Sequence, residues 1–364
     1  MATLSSVVDI NSESITKSYP YNEIEYIDIS SVNSGSYDGT KTIALKDAPS
    51  RAKRIVKNGD TILATVRPNL RSFLYVKNPV SNAVVSTGFA VLRAKQDKLD
   101  SRYLYYTVTT QYFTDYLTLN AKGSAYPAVD AGIIGRAEIN LPELPQQKKI
   151  SGLLGVYDDL IENNLKRIEK LEAMSHLLFN NWYSEYMNKH SDVISVTNLF
   201  EIKYGKTLPK TKFKTDGEYP IYGGGGIIGF YNQKTFDEPV CLITSRGNGS
   251  GTVWGTIGAA FITNNSFTVA GTVETKGLSA GFIQLLMDKL PIKSALSGSA
   301  QPQLTIDSLS HINSPKITYR DAKIVNSQIR NLFNLIYVIQ HKNQKLVQAR
   351  DLLLPQLMTG KIEV

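Results

Sequence analysis

Two stretches of this 364-residue chain carry the same heptad pattern 178 residues apart. The first, "QQKKISGLLGVYDDLIENNLKRIEKLEAMSHLLFNNW", follows the strand-stopping "LPELP". One row holds Leu154, Ile161, Ile168, Ser175 and Trp182, and the other holds Ile150, Tyr157, Asn164, Leu171 and Leu178. Adding 178 finds Leu332, Ile339, Leu346 and Leu353 in one row and Leu335, Lys342, Ala349 and Gln356 in the other. An apolar repeat of 3.5 residues predicts helices that pair along a seam. Lys342 falls where Asn164 stood, and a polar residue in a seam costs stability while fixing register. The alternative is two amphipathic helices, each packed only on its own domain. The order domain, helix, domain, helix requires the two long helices to run antiparallel if they pair.

The segments before each helix repeat as well. "GDTILATVRPN" matches "EPVCLITSRGN", which aligns Arg67 with Arg246. "VVSTGFAVLRA" matches "FITNNSFTVAG", which aligns Phe89 with Phe267. "GSAYP" at residues 123–127 returns as "GSAQP" at 298–302. Short runs rich in Val, Ile, Tyr, Phe and Thr, broken by Gly, Asn and Pro, predict mostly strands. A helix is expected within each copy, at "DSRYLYYTVTTQYFTDYL" and "SAGFIQLLMDKLPIKSAL". The fold class is α+β, with two copies of one mixed domain.

Several kinds of chemistry find no support. No apolar run is long enough to span a membrane, and the start has no basic segment followed by an apolar stretch, so a cytoplasmic location is expected. The single cysteine, Cys241, precludes an intrachain disulfide or a cysteine zinc site. "GGGIIG" at residues 224–229 fits a dinucleotide fingerprint literally, but a turn- and strand-like "FYNQKTFDEPV" follows instead of a helix. His176, His190, His311 and His341 are scattered. There is no nucleophile elbow, phosphate loop or metal-nuclease pattern, and no metal site is expected. The net charge of +8 favours a polyanionic partner, of which nucleic acid is the commonest.

At three places the chain resembles the specificity subunits of type I restriction–modification systems. "LPELPQQKKISGLLGVYDDLIENNLKRIEKLEAMSHLLFNNWY" is similar to the family's central conserved region, "LFEIKYGKTLPKTKFKTDGEYPIYGGGGIIGFYN" to the opening of a target recognition domain, and "QKLVQARDLLLPQLMTGKIEV" to the C-terminal conserved region. The resemblance implies two target recognition domains, at residues 1–145 and 189–320, and long antiparallel coiled-coil helices at 146–188 and 321–364. Little precedes the first domain, so any N-terminal segment completing the helical bundle is expected to be short or absent. The resemblance further implies a non-catalytic DNA-reading subunit that binds no cofactor. Each domain would read half of a bipartite, asymmetric site in double-stranded DNA. Two methyltransferase subunits carrying S-adenosylmethionine would dock on the helices, and two restriction–translocase subunits would use ATP and Mg. The rival expectations are the recognition portion of a fused restriction–methyltransferase and a coiled-coil scaffold that binds only proteins.

Base edges are read chiefly by Arg, Lys, Asn, Gln and Ser. The turns and loops that repeat between copies are the expected readers. In the first copy these are Arg67, Asn69 and Arg71, with Lys122, Ser124 and Tyr126. In the second they are Arg246, Asn248 and Ser250, with Ser299, Gln301 and Gln303. Lys206, Lys210 and Lys212 are expected on phosphates. A helix of about 35 residues is about 50 Å long, enough to hold two domains on half-sites one DNA turn, or about 34 Å, apart.

Overall fold

The computed structural model describes residues 1–247, 249–298 and 302–364. It contains two compact units, residues 1–160 with 346–364, and residues 161–345. The long helices Leu144–Lys189 and Tyr319–Met358 each contribute to both units.

In the first unit, Val8–Ile10, Phe89–Ala94, Thr61–Ala64 and Phe73–Tyr75 form an antiparallel sheet in that order. Side chains alternate across a strand, and here both faces are covered. Ala90, Leu92 and Leu63 enter one core, while Phe89, Val91 and Ile62 enter another. A second sheet, Lys41–Ala44, Glu23–Ile27, Ala83–Ser86 and Ala52–Ile55, contains one parallel pair, Glu23–Ile27 with Ala83–Ser86. Ala2–Thr3 pairs with Glu138–Ile139 to close the unit.

The second unit repeats this plan. Phe200–Tyr204, Ser266–Gly271, Cys241–Thr244 and Val253–Gly255 form the first sheet in the same order. Ile227–Tyr231, Tyr219–Tyr222 and Phe261–Ile262 form the second, with the equivalent parallel pair, and Val193–Ser195 clasps Asn313–Pro315.

The helix expected within the first copy is two helices, Ser101–Val108 and Gln111–Asn120. The threonines divide it. Thr110 Oγ1 donates to Thr107 O at 2.8 Å and caps the second helix by accepting from Phe113 N at 3.2 Å. Hydroxyls that bond nearby backbone compete with helix continuation. In the second copy the helix Ala280–Lys289 stops before Leu290 and Pro291. A residue before proline is pushed out of the helical region.

The heptad of the first long helix is present in both rows. Ile150, Leu154, Ile168 and Ser175 are buried, and Tyr157, Ile161, Asn164, Leu171, Leu178 and Trp182 are half-buried. In the second long helix one row matches: Ile339 is buried, and Leu332, Leu346 and Leu353 are half-buried. The other row is displaced by one residue. Leu335 is 51% exposed and Lys342 is exposed, whereas Ile329, Ile336, Asn343 and Leu357 are buried. A row three residues after the first and a row four residues after it both satisfy a heptad spacing, and only packing chooses between them. Within the second unit Ile168 packs with Ile336 and Ile339, and Asn164 Nδ2 donates to Asn343 Oδ1 at 2.7 Å. Asn164 therefore pairs with Asn343, and the polar break of the second helix is Asn343 instead of Lys342. Within the first unit, Ile150 and Leu154 share a core with Leu357 and Met358. In the second unit Asn164 meets Asn343 while Ile168 meets Ile336 and Ile339, and in the first Asp158 bonds Arg350 while Ile150 and Leu154 lie with Leu357, so in each unit the helix segments are antiparallel.

Each domain is seated on a long helix by a buried amide. Gln147 Oε1 accepts from Asp100 N at 2.9 Å, and its Nε2 donates to Lys98 O at 3.0 Å and Pro142 O at 2.8 Å. In the second unit Asn326 Oδ1 accepts from Ser279 N at 2.8 Å, and its Nδ2 donates to Gly277 O at 3.1 Å. Asp100 and Ser279 are themselves the N-caps of the domain helices.

Candidate nucleic-acid interface

In the first unit the strand Thr61–Ala64 runs on through Thr65 and Val66 into a short 3-10 turn, Pro68–Leu70. This turn and the glycine loop at residues 122–128 are stitched together. Arg67 N donates to Pro127 O at 2.7 Å and Val129 N donates to Thr65 O at 2.9 Å. Lys122 and Ala128 exchange backbone bonds across the loop. Gly123 has φ +97, and a Cβ there would lie 3.1 Å from Tyr126 O, so the tight loop requires glycine. Two stretches far apart in sequence thus share one surface. Arg67, Asn69, Lys122, Ser124 and Tyr126 are all exposed on it.

Arg71 is placed differently. Its Nη2 donates to Thr109 O at 2.7 Å and its Nη1 to Gln111 Oε1 at 2.8 Å. Those bonds occupy the guanidinium, and the side chain fixes the turn instead of projecting from it.

The second unit builds the same junction. Leu304 N donates to Ser245 O at 2.9 Å and Gly247 N to Pro302 O at 3.3 Å, while Ser297 and Gln303 exchange bonds across the loop. Arg246 and Gln303 are exposed and lie opposite each other in this junction. Ser250 is buried, with its hydroxyl 2.7 Å from both Gly247 O and Pro302 O. It braces the loop rather than facing outward. Asn248, Ser299 and Gln301 lie outside the described residues. Lys206, Lys210 and Lys212 are exposed, the last two on a 3-10 turn after Pro209.

The backbone pattern corrects the alignment of the two copies. Thr65 N bonds to Gly88 O, and Ser245 N to Asn265 O; Val129 N bonds to Thr65 O, and Leu304 N to Ser245 O. Thr65 therefore corresponds to Ser245, and Arg67 to Gly247, while Arg246 occupies the place of Val66. Ala64 pairs with Phe89 and Thr244 with Ser266, so Phe89 corresponds to Ser266 and not to Phe267. A one-residue slip in a strand exchanges its two faces, so the two arginines are not equivalent.

A further element, with no motif of its own chemistry in the sequence, adjoins this surface in the second unit. The "GGGIIG" stretch lies outside any nucleotide-binding context: it forms the tip and the first residues of the second strand of the hairpin Tyr219–Tyr222 and Ile227–Tyr231. Thr244 Oγ1 donates to Gly224 O at 2.6 Å, which sets the tip beside the Arg246 turn. Sequence carried only the glycine cluster as a signal.

The first domain is held to its helices by ions. Arg102 bonds Asp159 at 2.6 Å and 3.0 Å and donates to Gly155 O at 3.1 Å, and Lys77 bonds Asp159 at 2.9 Å. The hydrogen bond from Arg102, opposed by burial and aided by Lys77, lowers the Asp159 pKa to about 2. Arg350 of the second long helix bonds Asp158 of the first at 2.7 Å, which ties the helices to each other. In the second unit the position equivalent to Arg102 is Gly281, against the ring of Phe333.

Two α/β domains of one topology, each presenting a stitched pair of loops and each seated on a segment of a long helix pair, define a duplicated recognition architecture. The sequence matches the type I restriction modification DNA specificity domain family over residues 1–173 and 188–348, and the chain belongs to that family. It is 34% identical over 224 residues to the type I restriction enzyme MjaIX specificity subunit of Methanocaldococcus jannaschii, an alignment covering 57% of this chain and 49% of that protein. It is 26% identical over 182 residues to the type I restriction enzyme HindI specificity subunit of Haemophilus influenzae, covering 48% of this chain and 39% of that protein. These alignments span less than half the length of either relative. The crystal structure of a type I restriction–modification S subunit from M. genitalium superposes with a TM-score of 0.61 at 19% identity, covering 98% of this chain and 95% of that one. That likeness establishes the shared fold. Among the described residues no helix is long and apolar enough to cross a membrane.

Proposed function

We propose that this chain is the DNA-sequence specificity subunit of a type I restriction–modification complex. Each recognition domain reads one half of a bipartite, asymmetric site in double-stranded DNA. The long helices set the spacing of the halves and dock two methyltransferase subunits, and two restriction–translocase subunits complete the assembly. S-adenosylmethionine, ATP and Mg act on those partners, and this chain performs no chemistry. One observation carries the reading. The same junction of strand-end turn and glycine loop occurs in both copies and exposes Arg67, Asn69 and Lys122 in one and Arg246 and Gln303 in the other. Exposed cationic and amide side chains on a rigid scaffold suit base edges and phosphates, and the net charge of +8 suits a polyanion.

Mapping methylated adenines in the host genome, with and without the gene for this chain, tests the proposal. The expected result is one asymmetric motif with two specified parts and an unspecified spacer, lost on deletion. An unchanged methylation pattern would overturn it.

A further inference from the structure

Arg67 differs from the other exposed cations in how completely it is prepared. Its backbone is left-handed, at φ 50 and ψ 59, a region that non-glycine residues seldom enter. Two backbone bonds fix it there: Arg67 N to Pro127 O at 2.7 Å, and Leu70 N to Arg67 O at 2.9 Å. Its guanidinium lies over the ring of Tyr126, 4.6 Å from the centroid, and Tyr126 is itself 68% exposed. Stacking on an aromatic face restrains the guanidinium plane. Among the described residues no carboxylate or carbonyl accepts from that guanidinium. Arg71, at the other end of the same turn, shares the left-handed backbone at φ 57, but its donors are already used, and that is the contrast. Strain of this kind collects at functional positions.

A phosphate accepts hydrogen bonds from many directions and makes little demand on the plane of a guanidinium. A guanine edge presents two adjacent acceptors, O6 and N7, in one plane in the major groove, and arginine matches them with two parallel donors. We propose that Arg67, seated over the ring of Tyr126, reads a guanine in the half-site of the first domain, with Tyr126 as a positioning residue. The inference rests on the specificity-subunit reading above. It also sets the two domains apart. The position equivalent to Arg67 is Gly247, with φ +90 and nothing within 4 Å of a Cβ, so the second half-site has no guanine read from this place.

The test uses the full chain together with its methyltransferase partner and a pool of short duplexes with randomised sequence. The wild-type complex is expected to recover a bipartite motif with a guanine in one half. Replacing that guanine by 7-deazaguanine, which lacks the N7 acceptor but keeps O6, should weaken binding about 2- to 12-fold, half of what a bidentate pair contributes. Arg67→Ala should leave that one position unspecified and the other half-site intact, and should be indifferent to 7-deazaguanine. Arg67→Lys, which keeps the charge but lacks the planar pair of donors, should regain affinity with a weaker preference for guanine than the wild type, and Tyr126→Ala should relax the same position only. An Arg67→Ala complex that still selects the guanine, or that loses affinity equally on all duplexes, overturns the inference. So does a bipartite wild-type motif insensitive to 7-deazaguanine, and that result leaves the specificity-subunit reading standing. Recovery of no preferred sequence by the wild type would overturn both.

Discussion

Replacing Gln147 by Met tests whether the buried amides seat the domains on the helices. Methionine has similar length and helix propensity but can make none of the three bonds to Asp100 N, Lys98 O and Pro142 O. Gln147 is 1% exposed, so water cannot readily replace them. At about 1 kcal/mol net for each bond, the first domain should lose about 3 kcal/mol of its attachment. Since about 1.4 kcal/mol is a factor of ten, amide hydrogen exchange read by mass spectrometry should quicken about 100-fold in residues 98–108. Asn326→Leu removes two bonds, from Ser279 N and to Gly277 O, and should cost about 2 kcal/mol. Its effect should appear at residues 277–287 and be roughly fourfold or fivefold smaller than that of Gln147→Met. Exchange in either segment that rises less than about threefold would show that packing alone seats the domain, and would refute the reasoning.

Ile339→Asp should destabilise the second unit by about 3–5 kcal/mol, because it leaves an unpaired charge at a buried seam position; Leu335→Asp, on the exposed flank, should stay within about 0.5 kcal/mol, and urea unfolding followed by the fluorescence of Trp182 separates the two. The Arg102–Asp159–Lys77 cluster should weaken in acid: a carboxyl lowered from 3.8 to about 2 contributes fully above about pH 4 and loses its contribution as the pH falls through 2. Since the Asp159 side chain is 55% exposed, the loss should be below about 1 kcal/mol and should vanish in Asp159→Asn, as read by pH-dependent exchange at residues 98–108. Gly281→Ala should cost about 1–3 kcal/mol in the second unit by overpacking, since its Cβ would lie 2.4 Å from Phe333 Cγ; an unchanged urea midpoint would show that the ring can move aside.

The duplication and the heptad were legible in the sequence because both rest on periodicity, which survives substitution. What sequence could not fix was register to one residue. Arg67 and Arg246 align because both are arginines, whereas the hydrogen bonds of Thr65 and Ser245 make Gly247 the structural equivalent of Arg67. Likewise Lys342 and Asn343 both sit at acceptable heptad spacings, and it is the burial of Asn343 and its bond from Asn164 that identify it as the seam residue. The loop pair of the candidate interface was visible as repeated motifs, but its division of labour was not. Arg71 and Ser250 have the same chemistry as their exposed neighbours, and their inward role follows from tertiary hydrogen bonds to Thr109 O, Gly247 O and Pro302 O. Gln147 and Asn326 gave no signal at all, because an amide near the start of a long helix usually faces solvent.

The two copies have kept one backbone and exchanged the chemistry that docks it. In the first unit the domain helix supplies a large side chain, Arg102, and the long helix supplies the space: a Cβ on Gly155 would lie 2.5 Å from Arg102 Nη1. In the second unit the assignments reverse, with Gly281 on the domain helix making room for Phe333 on the long helix. Each junction is filled, but from opposite sides, and one is ionic where the other is apolar. An arginine at 281 would meet the Phe333 ring, and a glycine at 102 would leave Asp159 with Lys77 as its remaining partner among the contacts described above. Neither domain helix therefore fits the other's seat through a single substitution. Shared topology lets the same backbone be used twice, while the docking residues make the seat of each domain helix specific to its own unit.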